Sequence, residues 1–143
     1  MKKKNKEQVK KNDEKKLHIP LTGKAYLHFI LAILVPGLGH LLLGKKKRAL
    51  AFAVSIILFF VAGLLMNGYL HRFGARPGWL AILAVLSCMA VGLPYFIAIL
   101  FGLGMGDPMS VMEPYANYFL IAAGLLNMLV ALDAMDIAAK RKE

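Results

Sequence analysis

AYLHFILAILVPGLGHLLLGKKKR, residues 25–48, decides how this chain reads. From Ala25 to Gly44 there is no Lys, Arg, Asp or Glu, and then Lys45, Lys46, Lys47 and Arg48 arrive together. A helix rises about 1.5 Å per residue, so roughly 20 such residues cross a hydrocarbon core of about 30 Å. The run is interrupted inside. Pro36 withdraws a backbone donor and Gly37 and Gly39 loosen the chain, so a break is expected at Pro36-Gly37.

The same pattern repeats outward. Charges are also missing from Ala49 to His71, from Pro77 to Gly106 and from Pro114 to Leu132. Backbone groups left unpaired in lipid cost several kcal/mol each, so these stretches are expected to be helical. Outer-membrane strands would instead alternate in polarity over segments of about ten residues. The expected fold is an all-α integral membrane bundle of four apolar segments, at about 25–43, 49–70, 79–102 and 115–135. The third begins at Trp79, a suitable interfacial anchor, and is expected to kink near Pro94. The expected organisation is a basic disordered cytoplasmic tail at 1–23, the bundle at 24–138, and a basic tail at 139–143.

Charge placement sets the expected topology. Residues 1–24 hold nine Lys, and Lys140, Arg141 and Lys142 close the chain. Basic runs beside apolar segments point to the bilayer and to anionic headgroups as partners. The first sixteen residues lack the interleaved aromatics of a nucleic-acid surface, so no nucleic-acid partner is expected. With four spans and both termini cytoplasmic, 14 Lys and Arg lie inside against four outside, and Lys45–Arg48 is the flank that breaks the rule. Folding the first segment back on itself puts Lys45–Arg48 inside but sends the C-terminal bases out, at 13 against five. Four spans in the bacterial inner membrane are taken as the expected layout. The third and fourth segments then put Arg72 and Arg76 on the side of the C-terminus, with Lys45–Arg48 opposite. Asp133 and Asp136, near the end of the last helix, are accordingly expected to pair with Arg72, Arg76 or Lys140.

No motif points to catalysis, a metal or a cofactor. Gly39, four residues, Gly44 and Lys45 mimic a phosphate-binding loop, but that loop needs a preceding strand and a Ser or Thr where Lys46 stands. A close-packed helix end is the plainer reading of Pro36, Gly37, Gly39, His40 and Gly44. Cys88, the one cysteine, excludes an internal disulfide and is expected to be a buried thiol. On one continuous helix His28 and His40 would stand about 18 Å apart and share no metal. His40 by itself is a candidate haem ligand or proton relay, set against a hydrogen-bonded structural role. In the last segment Asn117, Gly124, Asn127, Ala131 and Ala134 fall on one face at 100° per residue. Small and amide residues so arranged mark a helix–helix contact in lipid.

Pro36-Gly-x-Gly-His40 with Gly44 before a basic turn, together with Gly124-Leu-Leu-Asn127, Asp133, Asp136 and Lys140-Arg-Lys, resembles a group of small bacterial inner-membrane proteins of unknown function. In plan that group is similar to the two-transmembrane domain family, from which this chain departs by lacking the aromatic and Arg positions after the His. The resemblance implies a multi-helix membrane protein and no activity. Three functions are therefore carried forward. The first is a non-enzymatic accessory, assembly or interaction protein, alone or as a homo-oligomer. The second is a small oligomeric transporter or channel using Asn127 and His40. The third is a haem-binding or enzymatic membrane protein.

Overall fold

The computed structural model describes residues 23–74 and 78–139; the expected N-terminal tail, Arg76 and Lys140 lie outside these. The described chain is helical. Its helices are α1 (Gly23–Leu34), α2 (Leu38–Leu42), α3 (Lys46–Leu65), α4 (Trp79–Met89), α5 (Leu93–Leu100) and α6 (Glu113–Ala138). A lone antiparallel bridge joins Tyr69 and Met105.

Two of these helices, α3 and α6, are long and apolar enough to cross a membrane, and a third crossing is reached if α4 and α5 count as one span. Beyond its basic first turn the outward side chains of α3 are apolar apart from Ser55, whose hydroxyl donates to Ala51 O of its own helix: Leu50, Leu58 and Leu65 are all more than 60% exposed. Lipid matches such a surface, whereas water would penalise it. The two long helices are antiparallel. Near one end Gly63 of α3 lies against Leu120 and the Ala116 carbonyl of α6. Near the other, Phe52 and Ser55 of α3 line a cavity with Leu129, Val130 and Asp133 of α6.

The first and third apolar segments each divide in two. At the first break Gly37 takes a left-handed φ of 82° and crowds the Ala49 carbonyl and the Ala53 side chain of α3. Leading up to that break, α1 runs antiparallel to α6: Gly39 packs among Ala32, Ala134 and the His28 carbonyl, and Ile33 reaches Asn127 at the middle of α6. The chain then returns through α2 to Lys45, which precedes α3. The first segment therefore enters and leaves at one end, and Lys45–Arg48 lies at the same end as the C-terminus of α6. This corrects the layout expected from charge counting, which placed that run opposite the C-terminus. The chain reverses direction at Pro36-Gly37.

The second break spans Ala90 to Gly92, and α4 and α5 meet there at 102°. Pro94 sits at the start of α5, where its missing N–H costs no hydrogen bond, so it opens a helix instead of kinking one. The C-terminal part of α4 advances along α6 from Gly124, which crowds Ser87, to Asn127, which bonds Ala90. Then α5 leads back to Gly104, whose carbonyl accepts from Leu70 N–H at the end away from Lys45. Around this second pair a core of Ile56, Phe60, Leu70, Val91, Tyr95 and Leu120 is buried. A smaller cluster of Ala32, Ala131 and Ala134 packs the first pair on α6.

Candidate functional site

Two polar groups are fully buried among the described residues, Asn127 and His40. Both sit where a broken helix pair meets α6. Asn127 lies on the small-residue face of α6 with Gly124, Ala131 and Ala134, all buried. Its amide Nδ2 donates to Ile33 O at 3.0 Å, to Ala90 O at 2.8 Å and, more weakly, to Val91 O at 3.4 Å. These carbonyls end helices α1 and α4, and helix ends leave carbonyls without intrahelical partners. One side chain thus satisfies carbonyls from both breaks. Asn127 Oδ1 has no hydrogen-bond partner among the described residues.

The breaks touch each other at the same place. A Cβ on Gly92 would collide with the Ile33 and Leu34 carbonyls, and Gly92 has a φ of 84°. Both the space and the backbone conformation demand glycine there. Sequence reasoning singled out Asn127 but missed Ile33, Ala90 and Val91, because they act through backbone carbonyls that carry no residue-type signal.

About two turns along α6, His40 forms the second polar contact. Its Nε2 is 3.0 Å from Asp133 Oδ2, His40 is wholly buried and Asp133 is 29% exposed. The edge of the ring meets Phe52 of α3, with centroids 5.1 Å apart. His40 Nδ1 is buried and lacks a hydrogen-bond partner among the described residues. Asp133 lies off the small-residue face, toward α3, and α2 slots between the two long helices to deliver His40 there. A cavity of about 230 Å³ opens beside the pair, walled by Phe52, Ile56, Leu126 and Leu129.

The expected pairing of Asp133 with Arg72 is not formed. Arg72 donates to Leu103 O at 3.4 Å and approaches Met105 Sδ at 3.6 Å, beside Gly104 at the far end of α6. Asn117, which marks that end, is 16 residues from Asp133, about 24 Å along the helix. Asp136 is half-buried on the last turns of α6, and its other expected partners, Arg76 and Lys140, lie outside the described residues. Asn117 itself accepts from Tyr69 N–H at 2.6 Å and donates to Glu113 at 2.7 Å, tying the chain after α3 to α6.

The expected motif residues separate into different roles. Gly39 allows close approach: a Cβ there would lie 2.7 Å from Ala32 Cβ and 2.8 Å from Ala134 Cβ. Pro36 is buried at the turn. Gly44 has nothing within 4 Å of an added Cβ, so it is not a packing contact. With φ of 75° it ends α2: Lys45 N–H bonds His40 O at 2.9 Å and Gly44 N–H bonds Leu41 O at 3.0 Å. That is the left-handed Schellman termination, and it accounts for the phosphate-loop-like spacing. The reversal also sets the His28 backbone beside Gly39, so the 18 Å separation expected of a continuous helix does not apply. Among the described residues no three His, Cys, Asp or Glu side chains gather as a metal site. Cys88 is buried, with Sγ 3.9 Å from His71 Nδ1.

No curated protein and no solved structure matches this chain. A family of unknown function (DUF6677) matches residues 27–143, a range that contains Ile33, His40, Ala90, Asn127 and Asp133. With well over half of its length and every group of both polar sites inside that match, the chain belongs to the DUF6677 family.

Proposed function

We propose that this chain is a non-enzymatic multi-pass protein of the bacterial inner membrane, an accessory or assembly component that packs with other membrane proteins or with a second copy of itself. The observation that supports it is Asn127. The central amide binds three carbonyls of the two breaks, so the polar chemistry at the middle of the bundle holds helices together instead of facing a substrate.

In this reading α3 and α6 are the two full spans, and each broken pair is a re-entrant helical hairpin, one from each face, meeting at Asn127. The chain before Gly23 and the chain after Ala139 then attach at the end that carries Lys45–Arg48. Sixteen of the 18 Lys and Arg gather on that face, leaving Arg72 and Arg76 opposite with Asp107 and Glu113. The bias marks the cytoplasmic face, so both termini are cytoplasmic. The first hairpin, with its glycines and His before a basic turn, keeps the likeness in plan to the two-transmembrane domain family. Affinity isolation of the tagged chain in mild detergent should recover a stoichiometric membrane-protein partner or a homo-oligomer; a monodisperse monomer without partners would overturn the proposal.

A second reading, a small oligomeric transporter or channel, is favoured by one feature. Hairpins from opposite faces meet at mid-bundle and leave Asn127 Oδ1 and His40 Nδ1 buried without hydrogen-bond partners among the described residues. Broken helices meeting at the midplane are a common way to build a transport site. Solute flux in proteoliposomes that Asn127→Leu abolishes would establish this reading over the first.

A further inference from the structure

A groove of about 210 Å³ runs between the first break and α3, beside α2. Pro36 and Gly37 close its inner end, Leu41 forms one wall, Ala49 and Ala53 form the other, and Lys46 stands at its mouth. The walls are apolar and the mouth is cationic. Exposed Lys47 and Arg48 follow Lys46 on the first turn of α3.

The depth of the groove follows from the fold. From Lys46 to Ala53 is seven residues, about 10 Å of helix. A segment that spans leaves a furrow through both leaflets. One that turns back at Pro36-Gly37 leaves a furrow only within the leaflet of the basic end, whose hydrocarbon is about 15 Å deep. Apolar walls below a cationic rim, within one leaflet, complement a lipid with an acidic head. We propose that this groove binds one anionic phospholipid, with one acyl chain lying between α2 and α3 and its phosphate against Lys46. The inference rests on the reading of the basic end as a membrane surface.

The full chain in mild detergent, offered equal phosphatidylglycerol and phosphatidylcholine, tests it by native mass spectrometry. One phosphatidylglycerol per chain should be retained in about tenfold preference. Lys46→Glu should weaken retention about tenfold or more, since losing one basic residue's attraction for an acidic headgroup is worth roughly fivefold and the new carboxylate adds repulsion. Ala53→Phe should abolish it by filling the groove. A phosphatidylglycerol carrying a diazirine in its acyl chain should crosslink the wild-type chain between Pro36 and Ala53, a readout that stands even where a variant fails to fold. Equal retention of the two lipids overturns the proposal. So does undiminished retention by both folded variants, crosslinking elsewhere, or a dimer that fills the groove in place of lipid. Failure of the topology is read separately: a cysteine at position 47 labelled only from outside intact cells would refute the basic end as cytoplasmic, whatever the lipid result.

Discussion

His40 and Asp133 are 93 residues apart in sequence, and their side chains meet at 3.0 Å on the flank of α6. The contact links α2, a helix of five residues, to the longest helix of the chain. A helix that short has no stability of its own and is held by what it touches. A double-mutant cycle on His40→Phe and Asp133→Asn, followed by thermal unfolding in detergent, should give a coupling of about 1–3 kcal/mol. Additive effects of the two substitutions would show that the proximity carries no energy.

Asn127 is expected to matter more than its single position suggests. Asn127→Leu leaves the Ile33, Ala90 and Val91 carbonyls without their shared donor and should cost about 1–3 kcal/mol. Asn127→Asp should be worse, since it sets a carboxylate oxygen against the same carbonyls in place of a donor. The ordering wild type, Leu, Asp in melting temperature checks this, and an Asp variant as stable as the wild type would refute the clamp.

Three glycines should separate by mechanism. An alanine at Gly124 meets the Ser87 carbonyl, which is backbone and cannot swing away. Overpacking of that kind typically costs about 1–3 kcal/mol, and Leu at Gly124 or Gly39 should cost at least as much. Gly44 has open space, so Gly44→Ala should cost only the strain of a left-handed φ, about 1 kcal/mol. A Gly44→Ala variant less stable than Gly124→Ala would reverse this assignment.

Cysteine labelling distinguishes the layouts. In a Cys88→Ala background, cysteines placed at Lys47 and at Met109 should react with an impermeant maleimide from opposite faces of the membrane. Reaction of both from the same face would mean that α3 does not cross or that α4 and α5 together make a crossing of their own. Alkaline carbonate should leave the chain in the membrane throughout, and its release would deny the membrane assignment altogether.

The sequence by itself determined the material of this protein. Charge-free runs of about 20 residues set where helices lie, because lipid leaves the backbone no other partner than itself. Pro36-Gly37 and the stretch around Gly92-Leu93-Pro94 marked where those helices break, and the small-residue face of α6 marked where other chain segments come close. Tertiary structure decided what the breaks do. A Pro-Gly pair is compatible with a kinked span and with a reversal, and the local dihedrals alone do not choose between them. The choice depends on whether the exposed carbonyls at the break find a donor deep in the bundle, and that donor is Asn127, 94 residues from Ile33. Because the chain reverses direction at both breaks, Lys45–Arg48 comes round to the end where α6 finishes, and Asp133 meets a histidine instead of Arg72. Charge counting assigns sides to whole spans, so two simultaneous reversals lie outside what it resolves, and only the packing of the two breaks on one asparagine selects them.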